Sequence, residues 1–276
     1  MKHQDKEYTK LFSKLKVNIK NKNNNTVSVS SRNETIHHTL SKTYPMKNNY
    51  NPIIPFNIFQ TWHSKTLPPI MFKVVNKIKQ LNPRFNYYLF DDHDCENFIA
   101  HYFKEDVLNA YRKLVPGAYK ADLWRYCVLF IKGGIYLDIK YKPNNNFRFI
   151  NLTESEHFCF DVDGSNIYNA IMVCKQGNLS CLSAIRQIVR HVNIHYYGDS
   201  ALDPTGPRLL ARCITQNNKF NIDMKHGLIH HNFENRYIKW NDYYILHQYK
   251  GYLDESAKYA KTNHYSAMWS ARQIYN

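Results

Sequence analysis

Residues 121–140 read A-D-L-W-R-Y-C-V-L-F-I-K-G-G-I-Y-L-D-I-K. Leu123, Trp124, Cys127, Val128, Phe130 and Ile131 recur at helical spacing, which predicts a helix over Gly117–Lys132. Gly133-Gly134 ends it, because glycine adopts the left-handed backbone that helix C-termini favour. Ile135-Tyr136-Leu137 then reads as a short apolar strand with Asp138 at its end. Ligands of open α/β sheets gather beyond the carboxyl ends of strands, so a catalytic or metal-binding carboxylate belongs at Asp138. Asp122 and Arg125 are three apart and share one face of the helix. A simple Asp–Arg ion pair beside a turn aspartate accounts for the same spacing, so spacing alone leaves both readings open.

The flanking sequence alternates strands and helices. Ile53–Trp62 is rich in apolar and β-branched residues and reads as a first buried strand. Pro68-Pro69 starts a helix with Met71, Val74, Val75, Ile78 and Leu81 on its core face, stopped by Asn82-Pro83. Tyr87–Phe90 reads as a second strand leading into Asp91-Asp92, where turn or N-cap chemistry is expected. Amphipathic segments follow around Asp94–Phe103 and Glu105–Leu114. Beyond Asp138, Ile139–Asn146 reads as an Asn-rich loop, His157–Phe160 as a strand, and Leu179–Ile194 and Arg208–Ile214 as helices. Leu228-Ile229 and Tyr237–Leu246 read as late strands.

The 276 residues suffice for one catalytic domain with a tail. Residues 1–50 are Lys-, Asn- and Ser-rich, hold ten Lys/Arg against three Asp/Glu, and are expected to be mobile; the folded domain is expected over 51–276. The formal net charge of +15 admits nucleic acid, a membrane surface or an anionic substrate. The basic residues are dispersed and no nucleic-acid motif is present, so no nucleic-acid partner is expected; a compositional bias toward Lys, Asn, Ile and Tyr accounts for the charge of residues 1–50, and an anionic substrate for part of the excess in the body. The six cysteines are scattered without zinc or disulfide spacing. The N-terminus lacks an apolar leader region and no stretch reads as a membrane span, which leads to the expectation of a soluble protein in a reducing cytosol.

The central stretch resembles the sugar-binding region of glycosyltransferase family 32, whose pattern is roughly A-D-x-x-R-Y-x-x-L-x-x-x-G-G-x-Y-x-D-x-D. That family includes yeast-type initiating mannosyltransferases and bacterial and viral glycan enzymes; the clostridial toxin glucosyltransferase domains carry a related pattern. Ala121, Asp122, Arg125, Tyr126, Leu129, Gly133, Gly134, Tyr136 and Asp138 match it, but Lys140 stands where the second Asp of D-x-D belongs. Ile53–Trp62, Asn166–Asn178, Asp203-Pro204-Thr205-Gly206-Pro207 and His264–Trp269 resemble further family segments.

The resemblance implies a GT-A type α/β fold, a Rossmann-like mixed sheet flanked by helices. It also implies retaining transfer of a sugar from a nucleotide-sugar donor, with UDP favoured over GDP, to a glycan, glycoprotein or other hydroxyl acceptor. Asp122, Arg125 and Asp138 would be the catalytic and sugar-binding residues. Gln60, Thr61, Trp62, Tyr136, Lys140, Asn166 and Trp269 would bind the donor, with Trp62 stacked on its base. His264 and Trp269 would lie on a loop closing over the diphosphate. Asp138 and His264 would hold Mn²⁺ or Mg²⁺.

Lys140 leaves three readings: a metal retained with Lys140 turned aside, Lys140 itself as the cation, or a silent donor- or glycan-binding relic. The literal D-x-D at Asp161-Val162-Asp163 does not follow G-G-x-Y and reads as a turn; the alternative is that it supplies the missing carboxylate or touches the acceptor. The oligomeric state is left open.

Overall fold

The structure is a computed structural model that describes residues 42–215, 221–228, 236–260 and 263–276. In chain order the elements are β1 (Asn57–Thr61), α1 (Pro69–Leu81), β2 (Asn86–Phe90), α2 (Asp92–Tyr102), α3 (Glu105–Lys113), α4 (Gly117–Lys132), β3 (Gly134–Leu137) and β4 (Tyr141–Pro143). A 3₁₀ turn at Phe149–Leu152 precedes β5 (His157–Phe160), β6 (Ile171–Cys174), α5 (Leu179–Asn193) and α6 (Pro207–Thr215). The chain continues with β7 (Asn221–Leu228), β8 (Arg236–Trp240), β9 (Tyr243–Gln248), α7 (Tyr252–Lys258) and α8 (Tyr265–Ser270).

The strands form one mixed sheet in the order β2-β1-β3-β6-β5-β7-β8-β9-β4. β1 pairs in parallel with β2 and β3, and β3 pairs antiparallel with β6. Side chains of a strand alternate between faces. Phe59 and Tyr136 therefore join the apolar layer under α2–α6, while Ile58, Ile135 and Leu137 join the layer under α1. α4 is covered on nearly every side, and Leu123, Trp124, Tyr126, Cys127, Val128 and Leu129 are all fully buried. Its sequence is accordingly apolar almost throughout, rather than amphipathic.

The turn from α4 into β3 requires both of its glycines. Gly133 and Gly134 have φ of +61° and +127°. A Cβ on Gly133 would lie 2.5 Å from the Gln176 amide nitrogen, and one on Gly134 would lie 2.6 Å from the Asn57 carbonyl oxygen. Asp91 caps α2 in a capping box with Asp94, the use expected of it.

Three expectations change. The loop expected at Ile139–Asn146 contains β4, which pairs antiparallel with β9. The late strand expected over Tyr237–Leu246 is a hairpin, β8 and β9, because Asn241 and Asp242 both take positive φ, +45° and +64°. This is the backbone of a two-residue hairpin turn, which Asn and Asp tolerate. β7 begins at Asn221, earlier than expected; Ile229 lies outside the described residues.

The mobile segment expected over 1–50 lies outside the described residues up to 41. The remainder runs along the body. Tyr44 stacks on Trp240 with ring centroids 4.8 Å apart, Lys47 pairs with Glu154, and the Tyr50 hydroxyl donates to Asn151 Oδ1 at 2.7 Å. All six cysteines are buried, and none is in a disulfide. Among the described residues no helix is long and apolar enough to cross a membrane.

Candidate active site

β3 ends at Leu137, and Asp138 follows at its carboxyl end; the Asp138 amide donates to the Ala170 carbonyl at 2.7 Å. α4 runs alongside and brings Asp122 and Arg125 to the same place. Arg125 bridges the two carboxylates: Nη2 lies 3.3 Å from Asp122 Oδ1 and Nη1 lies 3.3 Å from Asp138 Oδ1. Lys140 Nζ sits 2.5 Å from Asp138 Oδ2. The four groups form a row of alternating charge, Asp122–Arg125–Asp138–Lys140.

Each member of the row is held from outside it. Asp122 Oδ2 accepts from the Thr205 hydroxyl at 2.7 Å, and its Oδ1 accepts from Asn169 Nδ2 at 2.9 Å. Arg125 Nη1 donates to the Asn169 carbonyl at 2.7 Å, and its guanidinium lies 4.3 Å from the Tyr136 ring centroid. The Tyr136 hydroxyl donates to Asp138 Oδ1 at 2.8 Å. Lys140 Nζ lies 5.5 Å from the ring centroids of both Tyr141 and Tyr168, whose hydroxyls are 2.9 Å apart. The Asp138 and Lys140 side chains are 21% and 13% exposed, against 10% for Asp122 and 7% for Arg125, so the row opens to solvent at its Asp138–Lys140 end.

The two carboxylates are driven in opposite directions. Burial raises the Asp122 carboxyl above its ordinary range, and Arg125, Thr205 and Asn169 only partly offset this. Burial acts the same way on Asp138, but Lys140 and Arg125 outweigh it and hold that carboxyl below the ordinary range. Burial lowers the Lys140 amine, and Asp138 more than reverses it, so the ammonium form is reinforced. The row thus offers oriented donors and acceptors of the kind that bind sugar hydroxyls and phosphates.

Of the expected site residues, Asp122, Arg125, Tyr136, Asp138 and Lys140 come together. Gln60 is engaged within the sheet: it is fully buried, its Nε2 donates to the Leu137 carbonyl at 3.2 Å, and its Oε1 accepts from the Tyr87 hydroxyl at 2.7 Å. The Thr61 hydroxyl is tied to the Phe90 carbonyl at 2.9 Å, closing β1 onto β2. Trp62 is half-buried at the end of β1, and its indole N–H is buried with no hydrogen-bond partner among the described residues.

Asn166 is turned to its own loop. Its Nδ2 donates to Asp161 Oδ2 at 2.8 Å, so it closes the Asp161–Asn166 turn, and Asn169 is the amide that reaches the site. Trp269 points back at the body, donating to the Tyr197 carbonyl at 2.7 Å. His264 is an exposed N-cap of α8, its Nδ1 accepting from the Ser266 hydroxyl at 2.7 Å. In the same segment the Tyr265 ring lies 5.8 Å from that of Tyr119, and burial, with the Asp122 carboxylate adding to it, raises its phenol. Thr205 and Tyr168 are further contributors that spacing did not single out. Thr205 had a signal in its T-G-P context; nothing local marks Tyr168 among the 22 tyrosines.

The residues present do not fit a divalent cation held in the manner the resemblance implies. Both Asp138 oxygens are engaged, one of them by an ammonium, and Asp122 is enclosed by Thr205, Asn169 and Arg125. Hard divalent cations take several oxygen ligands, and among the described residues no group of three or more His, Cys, Asp or Glu is placed to hold one.

Comparison with known proteins agrees with this geometry. The family profile for the glycosyltransferase sugar-binding region containing a DXD motif matches residues 68–158, which include the whole row and the resemblance read from 121–138. The initiation-specific alpha-1,6-mannosyltransferase of Candida albicans is 34% identical over 113 residues, 38% of this chain and 28% of the relative. Inositol phosphoceramide mannosyltransferase 3 of Schizosaccharomyces pombe is 27% identical over 164 residues, 59% of this chain and 45% of the relative. The uncharacterized glycosyltransferase L373 of Acanthamoeba polyphaga mimivirus is 34% identical over 89 residues, 32% of this chain and 36% of that protein. The matches thus span less than half the length of these relatives. The solved glycosyltransferase PaToxG superposes with a TM-score of 0.51 at 15% identity, covering 69% of this chain and 77% of that one. The fold is of the GT-A type, a mixed sheet flanked by helices.

Proposed function

We propose that this chain is a glycosyltransferase that moves a hexose from a nucleoside diphosphate donor to a hydroxyl acceptor with retention of anomeric configuration. The observation that carries this is the Asp122–Arg125–Asp138–Lys140 row at the carboxyl end of β3, lying within the segment that matches the sugar-binding profile. Carboxylates at the row's odd positions accept from sugar hydroxyls, and the cations between them donate to hydroxyl and phosphate oxygens.

Retention is taken from the family resemblance, and the state of the carboxylates bears on the route it would take. Asp122 and Asp138 are both held in hydrogen bonds with cations and hydroxyls, which makes each a poor nucleophile. A front-face route needs none: the anomeric carbon–oxygen bond to the diphosphate breaks, the acceptor oxygen bonds on the same face, and its proton passes to the departing phosphate oxygen. Thr205-Gly206-Pro207, anchored on Asp122 by the Thr205 hydroxyl, would face the acceptor. Trp62, with its unpartnered indole N–H, is the residue for the donor base.

Two of the relatives are named for mannosyl transfer, so mannose is the first sugar to test. Its usual activated form is the guanosine diphosphate, which sets GDP beside the UDP expected from the resemblance. Incubation with UDP- and GDP-hexoses, with product anomers read by proton NMR, tests the proposal; inverted product would remove the front-face route. Lys140 also favours a second reading, a silent nucleotide-sugar or glycan binder. Donor binding without any hydrolysis or transfer would establish that alternative.

A further inference from the structure

Lys140 occupies the place where D-x-D would put its second carboxylate, and it is not turned aside. Its ammonium is fixed on Asp138 Oδ2 at 2.5 Å, between the faces of Tyr141 and Tyr168, each 5.5 Å away. Its backbone is fixed too, since the Lys140 carbonyl accepts from the Tyr249 amide at 3.0 Å. An ammonium has three N–H donors and no acceptor. One donor is taken by Asp138, which leaves two for oxygens of a ligand at the open end of the row.

Charge makes the same case. Exchanging a carboxylate for an ammonium shifts a site by two positive charges, the charge of one divalent cation. With Lys140 in place the Asp138 carboxylate already lies between two cations, Arg125 and Lys140. An added divalent ion would meet a like charge already seated on Asp138, the more exposed of the row's two carboxylates.

We propose that Lys140 is the built-in cation of the donor site: its ammonium binds the diphosphate and steadies the charge of the leaving group, so that donor binding needs no divalent metal. This rests on the donor-site reading above. When the sugar–oxygen bond breaks, the electron pair stays on the diphosphate, and Lys140, at the open end of the row, faces the charge that develops there.

Calorimetric titration of the full chain with UDP and GDP, each in EDTA and in Mn²⁺, is the test. The expected result is a Kd in EDTA within about twofold of that in Mn²⁺ for the nucleotide that binds. Lys140→Met is expected to weaken binding about tenfold or more in both buffers. Lys140→Asp, which completes D-x-D, is expected to lose binding in EDTA and recover it with Mn²⁺, whereas Lys140→Arg keeps metal-free binding. Binding by the unaltered chain only with Mn²⁺ overturns the inference and leaves the transferase reading standing. Absence of binding under every condition overturns both. The unaltered chain decides the matter by itself if a variant fails to fold.

Discussion

Asp138-Ile139-Lys140 and Asp161-Val162-Asp163 both follow a buried strand, β3 and β5, and the second has the complete D-x-D letters. Only the first is an active-site candidate. Asp138 meets α4, Tyr136 and Lys140, while Asp161 closes a turn: its carbonyl accepts from the Gly164 amide at 3.1 Å and its Oδ2 from Asn166 at 2.8 Å. Burial raises both carboxyls, and the residue two places on then decides the outcome. Lys140 brings Asp138 below the ordinary range; Asp163 adds to burial, and Asp161 is pushed up to about 6. Neighbourhood in space, not the letters of a motif, makes the site.

The sharpest way to break this contrast is Asp138→Ala. It leaves Arg125 and Lys140 buried without the anion between them, and removing one partner of a buried pair costs about 3–5 kcal/mol. Chemical denaturation should show that loss, and calorimetry the loss of nucleotide binding. Next is Thr205→Val, which keeps shape but takes the hydroxyl from Asp122 Oδ2. A buried acceptor losing its donor costs about 1–3 kcal/mol, read in the same unfolding experiment. A change within error would show that Thr205 does not hold the row.

The pH dependence of the two aspartates should have opposite sign. Asp138 has a folded value below its unfolded one, so its contribution is present above about pH 4 and fades as pH falls through the folded value. Asp161 has a folded value of about 6 against an ordinary 3.8, so its contribution is full below 3.8 and is lost as pH rises through 6. NMR titration of the side-chain carboxyl carbons reads both directly. Asp163→Asn should bring Asp161 back toward its ordinary value and leave Asp138 where it is. The smallest effect is that of Asp163→Asn on stability at pH 7, expected within about 0.5 kcal/mol for an exposed turn residue, with nucleotide binding unchanged.

Much of the fold was legible because local chemistry and global placement agree. Pro69 opens α1, Asp91 caps α2, and Gly133-Gly134 turns α4 into β3, each at the position its residue type favours. Where they diverged, the deciding contact was remote. β4 was hidden because Tyr141–Pro143 is a strand only by virtue of β9, a hundred residues further along. Gln60 and Trp269 read as donor ligands from their motif positions, yet Tyr87 and Leu137 claim the amide of the first, and Tyr197 the indole of the second.

By itself the sequence determined the helix, the glycine turn and the strand that carry Asp122, Arg125 and Asp138, because spacing along an element fixes which side chains share a face. It also determined that a lysine stands at position 140. Only the tertiary structure decided that this lysine points at Asp138 rather than away, that Asn169 and not Asn166 serves the site, and that Thr205 closes on Asp122. Those contacts join residues as many as 83 positions apart. Their geometry is set by sheet pairing and core packing, which no local pattern encodes.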